Sequence, residues 1–139
     1  YASSISEFDA IAQYTYHQIS YVYENIEVSQ TLRGISIVEM YHLKLLGEIL
    51  IQLGAEPGYW IDNKKKNYWS SKLLDYDLSS LKHILEIDIN SEKEAIKQYK
   101  ETISKISDEN INDILKRIIL DEEIHIQLFL DLYKKYVIQ

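Results

Sequence analysis

The chain has 139 residues, with 15 Lys and Arg against 22 Asp and Glu for a formal charge of −7, and it contains no cysteine, one proline and four glycines. The missing cysteines exclude a disulfide scaffold, a thiol nucleophile and any Cys-held zinc or iron–sulfur centre, so a bound metal would rest on carboxylate and imidazole. The acidic balance argues against nucleic-acid binding, which needs a basic face, and no apolar run reaches the about 18 residues of a membrane span.

Glycine and proline make up 5 of the 139 residues, about a third of the usual share, which favours long helices over many short strands. Apolar residues at helical spacing from Ile5 to Val22 predict helix A over about 3–24. A polar stretch, Asn25 to Thr31, then precedes helix B from Leu32 to Leu53, which stops at Gly54 with Pro57 beyond. Residues 55 to about 77 hold Lys64-Lys65-Lys66 and both tryptophans without a sustained period, and read as a long crossover whose lysines form a solvated loop edge. Leu78 to Ile103 predict helix C, and Ser107-Asp108-Glu109 suits a break before helix D, Ile111 to Tyr133. Two short turns and one long crossover describe an all-α, antiparallel four-helix bundle, a single domain over 1–139.

An internal repeat carries the chemistry. Helix A has Glu7-Phe-Asp-Ala-Ile-Ala-Gln-Tyr14 and helix C has Glu92-Lys-Glu-Ala-Ile-Lys-Gln-Tyr99, both reading E-x-x-A-I-x-Q-Y. Helix B carries Glu39-Met-Tyr-His42 and helix D carries Glu122-Glu-Ile-His125, both E-x-x-H, following the lone Glu by 32 and 30 residues. Residues three apart lie about 60° from each other on a helix, so each E-x-x-H offers an oxygen and a nitrogen side by side. The turns near residues 23 and 107 set Glu7 level with Glu39 and Glu92 level with Glu122. A local twofold between the halves would then gather Glu7, Glu39, His42, Glu92, Glu122 and His125 into one layer. These acids sit on apolar faces, where four desolvated carboxylates would cost several kcal/mol each, roughly, without counter-charge. Two divalent cations supply it.

With these motifs the chain resembles the ferritin-like di-iron and di-manganese carboxylate proteins. The first helix, Glu7 to His17, is similar to that of bacterioferritins. Val38-Glu-Met-Tyr-His42, Glu92-Lys-Glu-Ala-Ile and Leu120-Asp-Glu-Glu-Ile-His125 are similar to rubrerythrin-type and manganese-catalase-type domains. The resemblance implies a ferritin-like bundle whose six ligands are those of the repeat, holding two Fe or Mn ions per chain. It further implies a supporting role for Asp121, which is similar to an aspartate that orients a ligand histidine, whereas Val38 stands at the matching position of the first half. Tyr14 and Tyr99, seven residues after Glu7 and Glu92, are placed to hydrogen-bond ligand carboxylates or to pack in the core. His17 and His83 fall outside the motifs and read as surface or interface histidines. Met40 stands where bacterioferritins hold haem across a dimer, but a lone methionine commonly fills a core or interface, so the metal pair rather than haem is the expected cofactor.

The expected function is a rubrerythrin- or manganese-catalase-like oxidoreductase acting on hydrogen peroxide or dioxygen. Lacking cysteine, the chain has no rubredoxin-like electron entry, so peroxide reduction would draw on an external donor whereas dismutation would not. The alternatives are an iron-binding, ferroxidase or storage subunit, and a spore-coat-like structural component that retains the site. A homo-oligomer, dimer or larger, is expected, with no nucleic-acid or membrane partner. The absence of a signal-like apolar N-terminus suits a cytoplasmic protein.

Overall fold

The computed structural model describes residues 6–62, 64–65 and 67–138. Its elements are α1 (Glu7–Ser20), α2 (Ile26–Gln52), a two-stranded antiparallel hairpin β1 (Trp60–Asp62) and β2 (Asn67–Tyr68), a 3-10 turn (Ser71–Leu73), α3 (Leu81–Lys105) and α4 (Glu109–Tyr136). No helix is long and apolar enough to cross a membrane among these residues. The backbone forms two compact units, one ending at Tyr76 and one beginning at Asp77. Each holds one helical hairpin, α1 with α2 and α3 with α4.

Each helix begins on a side chain that accepts a hydrogen bond from an otherwise orphaned amide. Ser6 Oγ takes Asp9 N–H at 3.2 Å, Asn25 Oδ1 takes Val28 N–H at 3.1 Å, Ser80 Oγ takes His83 N–H at 3.1 Å, and Asp108 Oδ1 takes Ile111 N–H at 3.0 Å. Asn25 accounts for the largest departure from expectation. The stretch from Asn25 to Thr31 is the opening of α2 rather than a turn, with Val28, Ser29 and Leu32 buried. Helix A ends at Ser20 instead of near residue 24, and its expected start at residue 3 lies outside the described residues. Helix C starts at Leu81, because Asp77 Oδ1 caps the Ser79 amide in the preceding turn.

The stop of α2 is as expected. Gly54 adopts φ 75°, its N–H reaches Ile51 O at 3.0 Å and the Ala55 N–H reaches Leu50 O at 2.8 Å, the double bond of a left-handed helix terminus. The crossover is more than a connection, because it packs on α1. Phe8 stacks on Tyr59 at 4.3 Å and meets Trp69 edge-on at 4.8 Å, while Tyr16 meets Tyr76 at 5.2 Å. A Cβ on Gly58 would overlap the Trp60 ring, so only glycine admits that approach. Lys64 and Lys65 are exposed at the hairpin tip as expected, and Lys66 lies outside the described residues.

Candidate metal centre

In the first unit, the α1–α2 hairpin sets three ligating side chains against one another. Glu39 and His42 project from one face of α2, with His42 Nδ1 3.1 Å from Glu39 Oε2. Glu7, from the first turn of α1, brings Oε2 to 3.6 Å from the same nitrogen. One ligand atom from each of the three lies within 4.8 Å of the others, and all three residues are 1–3% exposed.

The second unit repeats this arrangement. His125 Nδ1 lies 3.0 Å from Glu122 Oε2 on α4 and 3.5 Å from Glu92 Oε1 on α3, and the three residues are again 1–3% exposed. The distances in the two hairpins agree to within 0.1 Å. The local cause is helical: the i, i+3 spacing fixes the Glu–His pair, and the length of each hairpin sets the third carboxylate level with it. Both rings turn Nδ1 toward the acids, which leaves Nε2 for orienting contacts.

This donor set fits a divalent cation. Each hairpin gathers two carboxylates and one imidazole nitrogen out of water, and such groups are stable together only with a cation or protons between them. Oxygen with imidazole and no thiolate is the ligand chemistry of Fe and Mn as well as of other divalent metals.

The remaining singled-out residues separate. Tyr14 is fully buried, whereas Tyr99, its counterpart in the repeat, is half-buried. Asp121 makes a 2.8 Å ion pair with Arg117, one turn earlier on α4. Met40 is exposed on α2 and borders a groove with Ile51, Pro57 and Tyr59. His83 lies 3.8 Å from Asp77.

His17 corrects the expectation of a surface or interface position, because it is completely buried within the chain. The Gln13 amide explains how it is held. Asp75 N–H donates to Gln13 Oε1 at 2.8 Å, and Gln13 Nε2 donates to Asp75 O at 2.7 Å. Those two bonds fix the amide orientation, so the second N–H on Gln13 Nε2 points to His17 Nε2, 2.9 Å away. His17 Nε2 is therefore an acceptor. The signal was present in the spacing: Gln13 and His17 are four apart, and His17 continues the Glu7–Tyr14 face. Asp88 is also fully buried, one turn before Glu92 on α3, and the same i, i+4 logic would have found it. Asp9 is a second buried acid that the motifs passed over. Burial raises its pKa to about 6, opposed in small part by the polar edge of Trp69.

Comparison with known proteins follows the same lines. The rubrerythrin family profile matches residues 2–133. Two crystal structures of KatB, described as a manganese catalase from Anabaena, one the wild type and one from Anabaena PCC7120, superpose with a TM-score of 0.78. Sequence identity to each is 23%, over 95% of this chain and 66% of theirs, so this chain spans just under two thirds of the catalase length. The likeness establishes the fold as that of a ferritin-like helical bundle. No curated protein sequence matches the chain significantly.

Proposed function

The chain belongs to the rubrerythrin family, and on that premise we propose that Glu7, Glu39, His42, Glu92, Glu122 and His125 together hold two Fe or Mn ions and that the loaded protein is an oxidoreductase of hydrogen peroxide or dioxygen. The observation that carries this reading is the duplication of one constellation: two carboxylates and an imidazole Nδ1, buried, at matching distances in both hairpins. A structural polar pair on a helix face has no reason to recur with a third acid at the same separation.

When bound, the ion pair supplies a centre that exchanges two electrons with peroxide. The chain's own groups supply the setting. Four carboxylates offset the +4 charge of two divalent ions, two imidazoles add neutral nitrogen ligands, and burial excludes bulk water. Asp121 and Tyr14 are the positioning candidates, Asp121 for a ligand histidine and Tyr14 for a ligand carboxylate. Tyr99 is the weaker counterpart because it is half-buried. The peroxide reading draws on the likeness to KatB, a manganese catalase. Dismutation of two peroxides to water and dioxygen needs no outside electrons, whereas peroxide reduction takes two from an external donor.

The test is elemental analysis of protein purified without added metal, followed by oxygen evolution from hydrogen peroxide with Mn(II) or Fe(II) loaded and no reductant present. Two metals per chain with oxygen release supports a catalase-type activity, and turnover only with a donor supports a peroxidase. Fe(II) oxidation with neither points to the iron-binding or storage alternative. A chain that binds neither metal refutes the reading.

A further inference from the structure

The repeat duplicates a second feature on the opposite side of the helices from the ligands. At two residues before, two after and six after the motif Glu, α2 carries Ile37, Tyr41 and Leu45, and α4 carries Leu120, Ile124 and Leu128. All six are exposed, Ile124 by 54% and Leu120 by 51%. Positions four apart form a continuous stripe along a helix, so α4 presents three branched apolar side chains to water over two turns. No charge interrupts the centre of that stripe. On α2, in contrast, Lys44 and Glu48 lie on the outward face between Tyr41 and Ile51.

The charges bounding the α4 stripe identify what fits it. On the same outward face, Asp113 and Arg117 lie toward the N-terminal end, and Asp131 and Lys135 toward the C-terminal end. Their spacing is symmetric about Ile124: Leu120 and Leu128 are four away on either side, Arg117 and Asp131 seven away, Asp113 and Lys135 eleven away. Each of these four charges is mirrored by one of opposite sign. Arg117 and Asp113 have side chains 64% and 76% exposed; within the chain Arg117 pairs with Asp121 at 2.8 Å and Asp113 lies 3.9 Å from Lys116, so a contact across the axis would share or exchange those partners.

We propose that α4 is a self-association surface, on which a second copy of this chain docks its own α4 antiparallel about a twofold axis at Ile124. That register puts Ile124 on Ile124 at the axis, and Leu120 on Leu128, Arg117 on Asp131 and Asp113 on Lys135, each of these three pairs formed twice. A register shifted by one turn keeps part of the apolar contact but sets like charges together, Asp113 on Asp131 in one direction and Arg117 on Lys135 in the other. Isologous pairing of this kind is the commonest way a chain closes on itself. Apolar contact supplies the attraction, and the flanking charges select register and direction. The proposal does not depend on the metal reading.

Sedimentation velocity and light scattering on the full chain test it, with far-UV circular dichroism confirming that each variant keeps its helices. The expected mass is twice 16.4 kDa. Ile124→Arg places two cations on the axis and is expected to give a monomer. Arg117→Asp or Asp131→Arg alone replaces two attractions by two repulsions and weakens association by about tenfold, an effect that fades at high salt. Mixing these two single variants re-pairs every position and restores the dimer, as does the double variant Arg117→Asp/Asp131→Arg. Tyr41→Arg on α2 leaves the mass unchanged. A native chain that stays monomeric, an Ile124→Arg variant that stays dimeric, or a mixture that fails to recover would each overturn the proposal.

Discussion

Glu92→Gln should move the stability of the metal-free and metal-loaded protein in opposite directions. Ligand oxygens of Glu92 and Glu122 lie within 4.8 Å of each other, with His125 Nδ1 3.5 and 3.0 Å away. When both are ionised, at a pH high enough that no proton bridges them, two like charges at that separation repel by about 3 kcal/mol at an effective dielectric near 20. The imidazole returns part of this, so the neutral amide, nearly isosteric, should stabilise the metal-free chain by about 1–2 kcal/mol, roughly 3–8 °C in Tm. Metal binding reverses the order. Free Mn(II) or Fe(II) at a hundred times Kd stabilises the native chain by about 2.7 kcal/mol, near 10 °C, and the variant, lacking one ligand carboxylate, should lose most of that gain. Thermal unfolding by circular dichroism, with a chelator and with added metal, gives all four midpoints. If Glu92→Gln lowers the metal-free midpoint, or if metal raises both proteins equally, the acids are not held together for a cation and the reasoning fails.

Further outcomes follow from single contacts. Gln13→Ala removes three hydrogen bonds joining α1, His17 and the crossover, and should cost about 2–3 kcal/mol while speeding proteolytic cleavage of the crossover and exchange of the Asp75 amide. Asp108→Ala leaves the Ile111 amide uncapped and should lower stability by about 1 kcal/mol in urea titrations. Asp9 has a folded pKa of about 6 against 3.8 for the free group, so the native state holds a proton that the unfolded chain has released. Its contribution to stability is therefore full below about pH 4 and falls as pH rises through 6, with the sign set by proton linkage. Asp9→Asn should gain on the native chain between those pH values in denaturant titrations, and a difference independent of pH would exclude that linkage.

The first repeat was legible because its meaning is local. Glu39 with His42, and Glu122 with His125, need only the helical rise to meet, and each lone Glu needs only the length of its hairpin. The helix stop at Gly54 was legible for the same reason, since a left-handed residue followed by proline carries its own signal. What escaped detection was decided at longer range. The polar run after Asn25 looked like a turn because composition does not show that Asn25 caps a helix whose Val28 and Leu32 are buried. His17 looked like a surface or interface histidine because its partner Gln13 is in turn fixed by Asp75, 62 residues away.

Helix content, the duplicated hairpin and the identity of the six ligand candidates were thus determined by the sequence alone, because spacing on a helix is geometry set by the backbone. Burial is not local, and only the tertiary structure decided it. Folding the crossover onto α1 through Phe8, Gln13 and Tyr16 made it part of the first unit. Packing likewise separated Tyr14 from Tyr99, two residues identical within their motif, because one is enclosed by the fold and the other stands at its edge.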